Sequence, residues 1–192
     1  MAEHVLRFRD VRLKGWQFGG DSYDVNFDTP TSWLINLIKS RASTHGGNLV
    51  VVFSCHGLPG FLLCAQGRKA HPTAGNGLSE DDLPDFAQVR GLVKRFEFRA
   101  CLVARIGTCF ETKGHSGWDG NRFCFRFAQV TGAEVKASLH LQYGLDGTDV
   151  NGNHIGPSCD LGWAGRVYTW AKEGNIIKME DFAYIPASVC VI

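Results

Sequence analysis

Two residues of this chain have the types and neighbours that nucleophilic hydrolysis needs. Cys109 ends the run Cys101-Leu102-Val103-Ala104-Arg105-Ile106-Gly107-Thr108-Cys109. That run reads as a short apolar strand stopping at a small-residue turn, and it continues into Phe110-Glu111-Thr112-Lys113-Gly114-His115. A thiol held where a strand opens into a glycine-bearing loop is well placed to attack a carbonyl, with backbone N–H groups free to face the substrate. His56 follows a second apolar run, Asn48-Leu49-Val50-Val51-Val52-Phe53-Ser54, inside Cys55-His56-Gly57-Leu58-Pro59-Gly60. An imidazole there can carry a proton for the thiol, and Gly57 lets a backbone donor approach an oxyanion.

Other chemistry-bearing residues compete with this pair. His115 and His140 are alternative bases for Cys109; the order Cys109 then His140 is the one used by Cys-first deamidases and papain-like transferases. Asp146, Asp149 and Asp160 in the stretch 142–162 could line an acidic pocket for a basic side chain, although the same residues suit solvated turns. Arg105 shares strand parity with Cys109, so it either pairs with an acidic residue or faces a cleft. Cys55 and Cys101 lie in apolar strand contexts and read as core. Trp163, Tyr168 and Trp170 read as sheet-face packing.

The elements that must position His56 and Cys109 follow from periodicity. Residues 4–13 alternate apolar and charged, a strand with one wet face near a sheet edge. The stretch 14–30 is turn-rich. A helix then runs from Thr31 or Ser32 to about Ser43, with Trp33, Leu34, Leu37 and Ile38 on one face. The β-branched run 48–54 is a strand buried on both faces of a parallel sheet. Phe61-Leu62-Leu63-Cys64-Ala65 folds back as a hairpin, and 66–78 reads as an exposed loop. Ser79-Glu80-Asp81-Asp82 opens a second helix carrying Leu83, Phe86, Val89, Leu92, Val93 and Phe96. A strand, a helix and the strand ending at Cys109 make a βαβ crossover, which brings His56 and Cys109 to one edge of the sheet. Residues 121–130 fit strand and helix equally, 133–141 is a strand, and Gly165–Trp170 with Ile176-Ile177 forms a terminal hairpin about Gly174-Asn175.

Composition bounds the rest. The 192 residues, 44% hydrophobic and 20% charged, suit one α/β domain with a sizeable core. A net charge of +1 gives no electrostatic reason to expect nucleic acid or an anionic membrane surface. No apolar run is long enough for a membrane span, and no secretory leader is read, so a cytoplasmic location is expected. The seven cysteines are an odd count scattered through apolar runs, which suits reduced thiols rather than a disulfide framework. No metal-ligand spacing occurs, and neither a metal nor another cofactor is expected.

The two motifs together resemble the caspase-like cysteine peptidases. Phe53-Ser54-Cys55-His56-Gly57 is similar to their hydrophobic block followed by His-Gly, and Arg105-Ile106-Gly107-Thr108-Cys109 to their second block followed by Cys. Phe127-Ala128-Gln129-Val130-Thr131-Gly132-Ala133-Glu134-Val135-Lys136-Ala137-Ser138 resembles the helix, turn and strand that follow in the CHAT and gingipain-like bacterial branches. The likeness covers residues 48–140 and leaves 142–192 as loop and terminal hairpin. It implies one caspase-like domain over 1–192, a three-layer α/β sandwich with a mostly parallel central sheet flanked by helices. It also implies a cysteine endopeptidase acting on a protein or peptide substrate through a thioester acyl-enzyme. His56 would be the acid–base residue and Cys109 the nucleophile, with the Gly57 and Cys109 N–H groups as the oxyanion hole. Thr108 departs from the Ala that many relatives carry before the nucleophile. The alternatives are a Cys-dependent amide hydrolase, such as a protein glutamine deamidase or toxin-type effector, and a non-catalytic caspase-like interaction module with a regulatory partner.

Overall fold

A computed structural model describes residues 2–13, 20–71, 74–106, 119–140, 147–148, 154–155, 163 and 165–182. In chain order the elements are β1 (His4–Asp10), β2 (Asp21–Val25), α1 (Thr31–His45), β3 (Leu49–Ser54), β4 (Gly57–Leu58), β5 (Phe61–Leu62), β6 (Lys69–His71), β7 (Gly75–Gly77) and α2 (Leu83–Phe86). They continue with β8 (Arg95–Arg99), α3 (Gly120–Thr131), β9 (Glu134–Ser138), β10 (Gly147–Thr148), β11 (His154–Ile155), β12 (Gly165–Trp170) and β13 (Ile176–Phe182).

Seven strands form one sheet in the order β13-β12-β9-β8-β3-β1-β2. From β2 through β9 neighbouring strands are parallel, while β9–β12 and β12–β13 are antiparallel. The expected buried strand is β3, all six of whose residues are buried. β1 lies one position in from the edge, and the edge strand is β2, from the stretch expected to hold only turns. The stretch 66–78, expected as an exposed loop, contains the β6–β7 hairpin.

Strand parity builds the core. Leu6, Phe8, Val51, Phe53, Phe96, Phe98, Val135 and Ala137 are in register on one face of the sheet. All are buried in one cluster with Leu34, Ile35 and Ile38 of α1, Leu83 and Phe86 of α2, and Phe123 and Phe127 of α3. The connections β2→β3, β3→β8 and β8→β9 all advance the same way along the sheet. Right-handed crossovers therefore put their helices on the same side. Aromatic rings close the layer: Phe86, Phe96 and Phe127 meet mutually at 4.8–6.4 Å between centroids, and Phe98 lies 5.7 Å from Phe123. Each such side chain contributes about 2–3 kcal/mol by leaving water.

The opposite face carries charge. Glu97, only 7% exposed, accepts from Arg95 at 3.0 Å and from Arg99 at 3.0 Å. The Arg99 guanidinium lies 5.6 Å from the Trp163 ring, with Lys136 5.4 Å from the same ring. Among the described residues no helix covers this face, so the helices described supply one flanking layer.

Two expected elements are corrected. The second helix is not continuous to Phe96; α2 is four residues long and gives way to turns ending at Gly91, whose φ is +73°. The following residues extend, because Phe96 and Phe98 recur with period two and the charges between them find partners on the other face. The strand expected to end at Cys109 is correspondingly displaced: β8 ends at Arg99, and residues 101–104 form a turn. The ambiguous stretch is the helix α3. Asp119 caps its start by accepting from the Arg122 N–H at 2.9 Å, and Gly132 in the left-handed conformation ends it.

Candidate functional site at the carboxyl edge of the sheet

Because β1, β3, β8 and β9 run parallel, their exits share one edge, the usual place for a site in such sheets. β1 delivers Asp10 and Arg12, β3 delivers Cys55-His56-Gly57, β8 delivers Ala100-Cys101-Leu102, and β9 delivers Ser138 and His140.

His56 stands at the base of the β4–β5 hairpin, half-buried. Burial lowers its pKa below the ordinary 6.5, the nearby Asp10 carboxylate pulls it back up, and Arg12 pushes it down again. The imidazole is thus neutral at neutral pH and able to accept a proton. Next to it, Gly57 pairs with Leu62. Leu62 directs its own N–H and carbonyl to Leu78, at 2.9 and 2.8 Å. Gly57–Leu62 is therefore the non-hydrogen-bonded pair of the hairpin, and the Gly57 N–H points out of it.

The turn after β8 is wedged between the exits of β3 and β9. Gly60 N–H donates to the Val103 carbonyl at 2.9 Å, Leu102 N–H to the His140 carbonyl at 3.1 Å, and Ala104 N–H to the Ser138 carbonyl at 3.0 Å. Gly57 meets this turn so closely that a Cβ built on it would lie 2.7 Å from the Cys101 carbonyl oxygen. Leu102, with φ of +58°, is the one non-glycine residue in the left-handed region among those described. A branched residue held there costs about 1–3 kcal/mol and persists where surrounding structure imposes it, a pattern that clusters at functional sites.

The described cysteines divide sharply. Cys55, Cys64 and Cys124 are buried, whereas Cys101 is partly exposed. Burial pushes the Cys55 and Cys124 thiols well above their ordinary value, with the Cys64 thiol hydrogen-bonded to Cys55 adding to the effect there. Such thiols are poor nucleophiles. The reading of Cys101 as core is thus corrected: it sits in a turn, two residues past β8.

Of the other expected site residues, Cys109, His115, Asp146, Asp149 and Asp160 lie outside the described residues. Arg105 is half-buried and follows the turn, donating its N–H to the Leu102 carbonyl at 2.8 Å. The parity that linked it to Cys109 depends on residues 107–109, which lie outside the described residues. His140 is half-buried on the far side of the same turn, its ring against Gly165. Sequence reasoning did not place Cys101 at this edge, although the alternation Arg95-Phe96-Glu97-Phe98-Arg99 marks a strand that ends just before Ala100-Cys101. No group of three or more metal-ligating side chains is gathered among the described residues. No helix described is long and apolar enough to cross a membrane.

No family model, curated protein or solved structure matches this chain.

Proposed function

We propose that this chain is a caspase-like cysteine endopeptidase whose dyad is His56 and Cys101, with Cys101 taking the role that the sequence motif suggested for Cys109. One observation carries the reading: His56 and Cys101 leave the adjacent parallel strands β3 and β8 at the same sheet edge, with Gly57 packed on the Cys101 backbone. Two features support it. Ala100 precedes Cys101, the residue that the family resemblance leads one to expect before the nucleophile. The left-handed Leu102 fixes a sharp turn directly after it.

The chemistry is acyl transfer to water. The neutral His56 imidazole takes the Cys101 thiol proton, and the thiolate attacks the peptide carbonyl carbon. The carbonyl oxygen becomes an oxyanion that accepts from the outward-pointing Gly57 N–H. Collapse of the tetrahedral adduct expels the amine, which leaves with the proton from the His56 imidazolium. Water, deprotonated by the same imidazole, then cleaves the thioester and restores the thiol. A three-layer sandwich and a cytoplasmic location belong to the same proposal.

A second reading has its own observation. His140 flanks the Cys101 turn from the β9 side, its carbonyl bound to the Leu102 N–H, so an amide hydrolase of the deamidase type would use Cys101 with His140. Alanine substitutions separate the readings in a peptide-library cleavage assay. Loss with Cys101→Ala and His56→Ala, and retention with Cys109→Ala and His140→Ala, is the expected pattern. Loss with Cys109→Ala alone returns the nucleophile to Cys109. Dependence on His140 rather than His56, with glutamine side chains as substrate, favours the deamidase, and no activity in any form favours an interaction module.

A further inference from the structure

The exit of β1 holds an ion pair between a buried carboxylate and a partly exposed guanidinium, which the hydrolytic scheme does not use. Asp10 is 0% exposed at the last position of β1. Both of its oxygens accept from the Arg12 guanidinium, at 2.9, 3.0 and 2.5 Å, and Oδ1 also accepts from the Arg12 backbone N–H at 3.0 Å. The same Nη2 that reaches Asp10 also donates to the Leu63 carbonyl at 2.6 Å. Leu63 in turn donates its N–H to the His56 carbonyl at 3.0 Å. A continuous chain of hydrogen bonds therefore runs from the end of β1 through the return strand of the hairpin to the backbone of His56.

A fully buried carboxylate such as Asp10 is costly to desolvate and is held only where a partner and hydrogen bonds satisfy it. Arg12 has a planar, always-charged fork that holds the carboxylate through Nε and Nη2 while the second Nη2 hydrogen reaches the carbonyl, a fixed geometry that a flexible lysine stem does not impose. The hairpin needs such a grip, since β4 and β5 are only two residues each. We infer that Asp10 and Arg12 form a clamp that holds the His56 imidazole in its working position. They are positioning residues, and the inference rests on the reading of His56 as the acid–base residue.

The charged groups that act on His56 are Asp10 and Arg12, both at the exit of β1. The test is an NMR titration of the His56 imidazole together with amide exchange at Leu63, in the full chain, alongside kcat and KM. In Asp10→Asn the carboxylate charge is gone and Arg12 remains, so the His56 midpoint falls by about half a pH unit or more. In Arg12→Lys both charges stay, but the fork is lost. There Leu63 amide exchange quickens and kcat drops about tenfold with KM within about twofold, the signature of a misplaced catalytic group. Leu63 amide protection left intact in Arg12→Lys would show that charge alone suffices and overturns the clamp. So does an unmoved His56 midpoint in folded Asp10→Asn; if that variant does not fold, Arg12→Lys decides through Leu63 exchange. The titration and exchange readouts need no turnover. A clamp that behaves as expected in a chain without hydrolytic activity sinks the peptidase reading alone, while active chains with an unmoved His56 sink the clamp alone.

Discussion

Gly57 and Cys101 are packed backbone against backbone. A methyl group in place of the Gly57 hydrogen would sit 2.7 Å from the Cys101 carbonyl oxygen, 2.7 Å from a Val103 methyl and 2.9 Å from the Ala100 Cβ. No rotation of a flexible side chain relieves these contacts, because two of the three partners are backbone or Cβ atoms. The approach of β3's exit to β8's exit is therefore fixed by the absence of a side chain at position 57.

Gly57→Ala is expected to destabilise the fold by about 1–3 kcal/mol through overpacking and to cut hydrolysis severely by pushing the Cys101 turn away from His56. Gly47→Ala is the control, since nothing lies within 4 Å of a Cβ there and its backbone is not left-handed. It should stay within about 0.5 kcal/mol of wild type. Urea midpoints of the two variants settle the matter, and a Gly57→Ala protein as stable as the Gly47→Ala one would show the two exits to be further apart.

Thiol reactivity should follow burial. With iodoacetamide at neutral pH and peptide mapping by mass spectrometry, Cys101 is expected to alkylate at least about tenfold faster than Cys55, Cys64 or Cys124. If Cys101 and His56 form the proposed dyad, His56→Ala slows Cys101 and leaves the other three unchanged. Equal rates for Cys101 in the two proteins would remove the basis for a dyad.

The sequence made some of this arrangement visible and hid the rest for identifiable reasons. β3 was legible because Val50, Val51, Val52 and Phe53 are apolar on both faces. The terminal hairpin was legible from alternation about Gly174-Asn175. β8 was hidden because it is short and its outward residues are charged: Arg95, Glu97 and Arg99 pair with one another across the face of a sheet rather than facing solvent. Meanwhile Leu92, Val93 and Phe96 imitate a helical stripe. That single misreading moved the end of this strand from Arg99 to Cys109. The exit that holds His56 did not move, so the relation between neighbouring parallel strands survived the error. α3 could not be separated from a strand by its phenylalanines, since 123, 125 and 127 satisfy both periods. Asp119 and Gly132 at its ends decide it.

Asp119 does two things at once, one through its side chain and one through its backbone. It caps α3, and its backbone pairs with Ile106 and lies 3.3 Å from the Cβ position of Gly60. Asp119→Ala removes only the capping carboxylate and should cost about 1 kcal/mol. Phe127→Ala, which empties the meeting point of Phe86, Phe96, Phe98 and Phe123, should cost about 3–5 kcal/mol. Denaturant melts that gave the two variants similar losses would contradict the packing described for this layer.

The half-buried His56 makes stability depend on pH in a direction that can be worked out. In the unfolded chain it protonates as pH falls through about 6.5, whereas in the folded chain burial holds its pKa lower. Between those two values the unfolded state binds more protons, so folding stability rises with pH across the window. The contribution is fully present above 6.5 and is lost as pH falls toward the folded value. His56→Gln, which cannot titrate, should lack this slope. Subtracting its urea-derived stability from that of wild type between pH 5 and 8 cancels the carboxylates and leaves the histidine alone. A difference that is flat across that range, or that grows as the solution becomes more acidic, would mean that His56 is not held neutral by burial. It would then meet the thiol already protonated, unable to take the proton on which hydrolysis depends.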